Sequence, residues 1–250
     1  MLRSWSNKMT QAPSNIYRQA ANFVTISSLV CGFSSIIFCI EGHFTFASWA
    51  IILSVLLDGL DGQLARKNPV PSEFGKELDS LVDVVSFGIA PSMLGYIFIY
   101  RDFYFSATLA LFYYLFCSVM RLAKYNITPK EKLVNYFYGL PTTVGGGILA
   151  SFILIFRKGK DISPLPKFVP SIFLLMVLVL AFLMVSRVRY LNLDALKQLL
   201  ARKIRLTIAV LSVLLVLALL LRKAGVFIFA LFLIYLLFSP FVVKRLNNTG

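Results

Sequence analysis

The sequence predicts an all-α integral membrane protein. Three observations support this fold class: 58% of the 250 residues are apolar, only 14% are charged, and the mean hydropathy is +0.80. Soluble domains carry roughly 25% charged residues, whereas a helix that crosses a bilayer needs about 20 predominantly apolar residues. The composition is therefore typical of a chain that folds into several membrane-spanning helices.

Eight apolar segments predict eight membrane-spanning helices. In chain order they are residues 22–40, 45–66, 77–100, 103–121, 139–156, 168–188, 204–221 and 225–243. Residues 1–18 are polar and predict either an interfacial amphipathic helix or a frayed tail. Residues 190–203 mix apolar and basic side chains and predict a connector at the membrane surface.

The basic residues predict the orientation. With the N-terminus inside, 18 of the 25 Lys and Arg residues fall on the inner side and seven on the outer side. Because positive charge accumulates in cytoplasmic loops, we expect a cytoplasmic-membrane protein with both termini and the 66–76 turn facing the cytoplasm. The basic residues flank apolar segments, which argues against nucleic-acid binding and suits contact with anionic membrane lipids.

Cysteine and histidine offer little chemistry. Cys31, Cys39 and Cys117 lie in apolar runs without a CxxC pair, so neither a disulfide framework nor a zinc site is indicated. His43 is the only histidine and falls in a short polar loop. Proton transfer must therefore rely mainly on carboxylates.

Carboxylates are concentrated in one hairpin. Six of the 11 acidic residues lie between positions 58 and 83, and Asp58, Asp61, Asp79 and Asp83 fall inside apolar segments. The i,i+3 and i,i+4 spacings place each pair on one helix face. If the chain turns at residues 68–72, both pairs lie within roughly 12 Å of the cytoplasmic end, and all four can converge.

Converging carboxylates in a membrane predict a metal site. Intramembrane charges are costly and normally functional, and four carboxylates at one point repel strongly. An all-oxygen ligand set favours Mg²⁺, Mn²⁺ or Ca²⁺. The chemistry indicated is a metal-assisted displacement at phosphorus, in which one carboxylate takes a proton from the attacking hydroxyl.

The same residues form a known signature. Asp58-Gly-Leu-Asp61-Gly62-Gln-Leu-Ala65-Arg66, then Gly75, Asp79 and Asp83, fill every fixed position of D-x2-D-G-x2-A-R-x8-G-x3-D-x3-D. This pattern resembles the CDP-alcohol phosphatidyltransferase family. The resemblance implies a six-helix transmembrane core around a polar cavity that opens to the cytoplasm, commonly in a homodimer. Residues 19–190 would form this core, with a juxtamembrane segment at 1–18 and a C-terminal extension of about two transmembrane helices at 191–250.

The resemblance also implies residue roles. Asp58, Asp61 and Asp79 would hold Mg²⁺ or Mn²⁺ at the CDP diphosphate, and Asp83 would share a metal and act as general base. The CDP-lipid would be bound by six further residues: Asn22, Thr25, Gly62, Ala65, Arg66 and Gly75.

Other stretches resemble the phosphatidylserine synthase branch of the family. They are Ser86–Pro91, Arg121–Asn126, Phe137–Pro141 and Leu183–Ser186. This resemblance implies transfer from CDP-diacylglycerol, or a CDP-archaeol type ether lipid, to L-serine, with CMP as the second product. Ser86, Arg121 and Asn126 are then candidates for binding serine, since arginine suits a carboxylate.

Alternatives remain for the function and for single residues. Glycerol phosphate or inositol phosphate as acceptor would need several basic residues near the site, and Ser86–Pro91 contains none. A cation transporter could use the aspartates but gives no role to Ala65 or Arg66. Gly62 and Gly75 could serve helix packing, Asn22 and Thr25 could bond between helices, and Arg121 could be a positive-inside flank. Packing is the expected role of Gly145–Gly147.

Overall fold

The computed structural model describes residues 2–66, 73–128, 136–156, 166, 168–191 and 223–247. Within them are helices α1 (Leu2–Ile40), α2 (Phe44–Arg66), α3 (Glu73–Asp83), α4 (Ala90–Ile127), α5 (Thr142–Phe156), α6 (Phe168–Val185) and α7 (Ala224–Asn247). A π-helix, Val84–Ile89, joins α3 to α4, and strands β1 (Tyr136–Tyr138) and β2 (Arg189–Leu191) pair antiparallel.

Six described segments are long and apolar enough to cross a membrane. They are Gln19–Ile40, Phe44–Ala65, Glu73–Ile99, Tyr104–Ile127, Phe168–Val185 and Ala224–Lys244, and α5 is a shorter apolar helix. The predicted all-α, multi-pass membrane fold is therefore confirmed. Of the two helices predicted in the extension, α7 corresponds to 225–243, whereas 204–221 lies outside the described residues.

Helix α4 includes parts of two candidate membrane spans: the end of Glu73–Ile99 and the whole of Tyr104–Ile127. Tyr104–Ile127 folds back on the preceding span: the Tyr114 hydroxyl donates to the Phe87 carbonyl at 3.1 Å, and Ser92 Oγ lies 3.4 Å from the Leu111 carbonyl. The chain therefore reverses between residues 99 and 104, as the separate predictions for 77–100 and 103–121 require.

Helices α1, α2 and the π-helix meet along a polar seam. The hydroxyls of Ser28 and Ser54 lie 2.7 Å apart, and Ser86 donates to the Ser28 carbonyl at 3.2 Å. A Cβ on Gly32 would overlap Ser86 and come within 2.8 Å of its Cα. Small residues and interhelical hydroxyl bonds thus hold the π-helix, which follows Asp83 directly, against α1.

The three glycines of α5 let three different neighbours approach. A Cβ on Gly145 would lie 3.0 Å from the Tyr114 hydroxyl, one on Gly146 would lie 3.3 Å from Phe87 Cα, and one on Gly147 would overlap the Phe232 ring. The predicted packing role of this run is confirmed. The close contact between Gly147 and Phe232 of α7 also packs α7 against the core.

Two features differ from the sequence-based expectations. Helix α5 begins at Thr142 instead of residue 139, because Gly139 has a φ of +78° and residues 136–138 form β1. The sequence predicts neither strand, because each is only three residues long and pairs with a strand that is distant in the sequence. Residues 2–18 are helical and continue into the first span, which favours the helix over the frayed tail.

Candidate active site

The four intramembrane aspartates converge at one end of the α2–α3 hairpin. One carboxylate oxygen from each of Asp58, Asp61 and Asp79 lies within 4.8 Å of the other two. The carboxyl of Asp83 lies within hydrogen-bonding reach of Asp58. Helical spacing therefore brings together the residues that the sequence indicated.

These carboxylates are withdrawn from solvent. Asp61 is only 4% exposed and Asp83 9%, while Asp58 and Asp79 are half-buried. The buried Oδ2 atom of Asp61 has no hydrogen-bond partner within the described part of the chain. A buried acceptor without a partner is costly, so this oxygen is available to a ligand.

One basic side chain from another helix approaches the cluster. Arg121 on α4 lies near enough to Asp83 and Asp58 to interact with their charges. Lys76, one turn before Asp79, instead donates to the carbonyl of Asn126 at 2.7 Å. No sequence pattern indicates that Arg121 is a counter-charge, because Arg121 is distant along the chain and approaches the cluster only in the folded structure.

The cluster fits a divalent cation. Among the side chains that the structure describes, the four carboxylates meet one nearby guanidinium, that of Arg121, so negative charge is in excess there, and the ligand atoms are all oxygens. Such a set suits a hard cation more than zinc. The free Oδ2 of Asp61, aimed at no protein donor in the described residues, supports the same conclusion.

The residues predicted to bind the CDP-lipid are distributed around this cluster. Thr25 of α1 and the backbone of Gly62 lie beside Asp61. Asn22 is half-buried one turn before Thr25, and Ala65 is exposed near the end of α2. Arg66 is the last residue of α2, and Gly75 lies in the first turn of α3. The structure thus brings Thr25 and Gly62 to the carboxylates, whereas Ala65, Arg66 and Gly75 lie towards the ends of α2 and α3. Asn22 lies in the middle of α1, near the start of the first candidate span.

The three candidates for binding serine differ in their contacts. Arg121 Nη1 donates to Thr142 Oγ1 at 3.2 Å, while its buried Nε has no partner in the described part of the structure. Asn126 donates from Nδ2 to Ser80 Oγ at 2.9 Å. Ser86 is fully buried and bonded to α1, so its predicted contact with serine remains a prediction.

A π-helix begins immediately after Asp83. Segments of this kind occur frequently at functional sites, and this one separates Asp83 from the regular helix that follows. The sequence provides no signal for it beyond the small residues Ser86 and Gly88. Thr142 and Ser80 were also missed as site neighbours, because a lone hydroxyl in an apolar run is not distinctive.

Comparison with known proteins places this site in a class of enzymes. Residues 18–185 match the family model of CDP-alcohol phosphatidyltransferases. The match covers the four aspartates and two-thirds of the chain, and the protein belongs to this family.

Individual relatives carry a more specific name. The chain is 33% identical over 176 residues to a CDP-diacylglycerol–serine O-phosphatidyltransferase of Helicobacter pylori, covering 70% of this chain and 73% of the relative. It is 32% identical to the Bacillus subtilis protein of that name, covering 67% and 86%. The Methanocaldococcus jannaschii protein of that name is 35% identical, covering 53% and 59%.

Proposed function

We propose that this protein transfers a phosphatidyl group from CDP-diacylglycerol, or an ether-lipid analogue, to L-serine, releasing CMP. One observation carries the proposal: the four carboxylates converge beside Arg121, which supports assigning to them a metal site and a base, and to Arg121 the binding of the serine carboxylate. The names of the bacterial and archaeal relatives support serine as the acceptor.

Asp58, Asp61 and Asp79 are the proposed metal ligands. Their oxygens are close enough to share one cation, and Mg²⁺ or Mn²⁺ suits their chemistry. These three carboxylates would hold the cation, whose positive charge would offset that of the diphosphate and favour the departure of CMP. Asp83 would contribute to the same centre through its contact with Asp58.

Asp83 is the proposed general base. Its buried carboxyl accepts the proton of the serine hydroxyl as the serine oxygen bonds to the phosphorus that carries the diacylglycerol group. The bond from this phosphorus to the bridging diphosphate oxygen breaks, and CMP leaves with that electron pair. Arg121 lies near Asp83, so a serine carboxylate bound to Arg121 would place the serine hydroxyl at the base.

The orientation of Asn126 favours a zwitterionic acceptor. Ser80 Oγ donates its only proton to the Lys76 carbonyl at 3.1 Å, so it must accept from Asn126 Nδ2. The Asn126 Oδ1 atom is then a buried acceptor with no partner among the described residues. An acceptor suits the serine ammonium, so we assign the carboxylate to Arg121 and the ammonium to Asn126.

The CDP-lipid is proposed to lie between α1 and the α2–α3 hairpin. Thr25 and Gly62, beside Asp61, would approach the diphosphate, and Asn22, Ala65, Arg66 and Gly75 would line the nucleotide end. Small side chains at three of these positions leave room for the nucleotide next to the backbone. The lipid chains would enter the membrane between helices.

The charge distribution supports a location in the cytoplasmic membrane with the site and both termini facing the cytoplasm, and we propose a homodimer. Labelling of Ser72→Cys, in a chain without its three native cysteines, tests the orientation. An impermeant thiol reagent should label this position in inside-out but not right-side-out vesicles. Molar mass measured in detergent tests the homodimer, and a monomeric mass would exclude it.

Acceptor choice separates this function from its alternatives. We expect CDP-diacylglycerol and the purified protein to release CMP with L-serine but not with glycerol phosphate or inositol phosphate. CMP release only with a phosphate-bearing acceptor would assign another specificity within the family. Cation flux into vesicles without any CMP release would instead favour a transporter.

A further inference from the structure

Hydrogen bonds join α3 to the end of α4 through Lys76, Ser80 and Asn126. The Asn126 amide donates from Nδ2 to Ser80 Oγ at 2.9 Å, and Ser80 Oγ donates to the Lys76 carbonyl at 3.1 Å. In return, Lys76 Nζ donates to the Asn126 backbone carbonyl at 2.7 Å. Two residues of α3 therefore hold both the backbone and the side chain of Asn126.

The direction of these bonds decides which end of the Asn126 amide is left for a ligand. A serine hydroxyl has one proton, and that of Ser80 is used at the Lys76 carbonyl, so Ser80 can only accept from Asn126. The amide nitrogen is therefore bound to α3, and the amide oxygen is not. This Oδ1 atom is buried and has no hydrogen-bond partner among the residues that the structure describes.

Helical spacing relates this arrangement to the proposed base. Lys76, Ser80 and Asp83 follow one another at intervals of four and three residues, so they share one face of α3. Ser80, which holds the Asn126 amide, is about 4.5 Å from Asp83 along the helix axis, since each residue rises 1.5 Å. This short interval suits an acceptor whose hydroxyl and ammonium groups are on neighbouring carbons, as they are in serine.

We propose that Ser80 determines the acceptor specificity by fixing the orientation of the Asn126 amide. The inference rests on the proposed function, in which Asn126 Oδ1 binds the serine ammonium. An ammonium only donates, so it binds an amide oxygen and cannot bond to an amide nitrogen that carries two hydrogens. Ser80 is thus a positioning residue, which presents the oxygen before serine arrives and lowers the cost of ordering the site.

Ser80→Ala tests this role, because it removes the acceptor for Asn126 Nδ2 and lets the amide turn over. We expect the KM for serine to rise about tenfold, since a hydrogen bond to a charged group is lost when the nitrogen faces the ammonium. The competitor 3-hydroxypropionate has the hydroxyl and carboxylate of serine but no ammonium. Its inhibition constant against serine, the kcat and the KM for CDP-diacylglycerol should stay nearly unchanged.

Two further variants separate orientation of the amide from general damage to the helix. Ser80→Thr should restore the wild-type KM, because a threonine hydroxyl can make the same bond to the carbonyl four residues earlier. Thr108→Ala is the matched control, since exposed Thr108 Oγ1 makes such a bond to the Tyr104 carbonyl at 2.9 Å. It should change none of these constants. An unchanged serine KM in Ser80→Ala, or an equal rise of the serine KM and the 3-hydroxypropionate inhibition constant, would overturn the proposal.

A double-mutant cycle with Asn126→Ala provides the second test. If Ser80 acts through the Asn126 amide, Ser80→Ala should change the serine KM by less than about twofold once that amide is absent. Fully additive effects would overturn the proposal. The wild type decides separately on the proposed function: release of CMP only with a phosphate-bearing acceptor would overturn that function and this inference with it. Wild-type transfer to serine with no effect of Ser80→Ala would overturn the positioning role alone.

Discussion

At the scale of single residues, the site depends on unequal environments for four identical side chains. Asp58, Asp61 and Asp79 present oxygens to a common point, whereas Asp83 contacts Asp58 and lies beside Arg121. The buried Asp61 Oδ2 has no protein donor in the described residues, which fits a metal ligand. Asp83 instead lies where an acceptor held by Arg121 would meet it, which fits a base.

Replacing the proposed base should separate binding from turnover. Asp83→Asn keeps the size of the side chain and removes its ability to take a proton, so we expect kcat to fall about 10²–10⁴-fold. The affinity for CDP-diacylglycerol, measured by equilibrium binding, should change little. A comparable loss of affinity would make Asp83 chiefly a metal ligand.

Replacing a proposed ligand should change the metal dependence. We expect Asp58→Ala to raise the Mg²⁺ or Mn²⁺ concentration for half-maximal activity at least tenfold, since even indirect partners of a metal change its affinity by about 10–100-fold. Glu77→Ala is the control, because Glu77 is an exposed carboxylate on α3. An identical metal titration for Asp58→Ala and wild type would exclude Asp58 as a ligand.

The aspartates could be predicted from sequence, whereas their counter-charge could not. Spacings of three and four residues place carboxylates on one helix face, and the two prolines between the pairs predict a turn that would bring two such faces together. Arg121 reaches the cluster only because Tyr104–Ile127 folds back along the preceding span. The same is true of Asn126, whose Oδ1 has no partner among the described residues. This orientation of the amide depends on hydrogen bonds that involve Ser80 and Lys76 on another helix.

At the scale of elements, apolar length predicted the six described segments that can span a membrane, but it also predicted a span at 139–156, where α5 is a shorter apolar helix. Local geometry could not be predicted in this way. Strands β1 and β2 are three residues each, and α5 and α6 separate them in the sequence. No local sequence pattern therefore predicts these strands. The π-helix after Asp83 is stabilised by contacts such as that of Ser86 with Ser28. The π-helix contains Ser86, and Phe137 of β1 contacts the ring of Tyr125, the residue before Asn126.

The close approach of α1 to the π-helix makes Gly32 sensitive to substitution. Gly32→Ala would place a Cβ against Ser86 Oγ and 2.8 Å from its Cα, a backbone atom that cannot easily move. Overpacking of this kind costs about 1–3 kcal/mol, so the unfolding temperature in detergent should fall. Gly59→Ala on α2 is the control: its Cβ meets nothing within 4 Å, and its unfolding temperature should stay the same or rise. Equal behaviour of both variants would contradict this packing.

At the scale of the whole molecule, α7 lies outside the segment that matches the family model and packs against α5 within it. The family could be predicted from the signature, and its model matches residues 18–185. The attachment of α7 could not be predicted, because its contacts with β2 and α5 depend on tertiary structure.

The central claim is that the aspartate cluster supports metal-dependent transfer of a phosphatidyl group to serine. The most direct test reconstitutes the purified protein in vesicles containing CDP-diacylglycerol and measures radiolabelled serine in lipid together with released CMP. Divalent cations are first removed with EDTA, and Mg²⁺ or Mn²⁺ is then restored. We predict equal amounts of phosphatidylserine and CMP with the cation and neither without it. Absence of lipid-bound serine in the presence of both cations would contradict the claim.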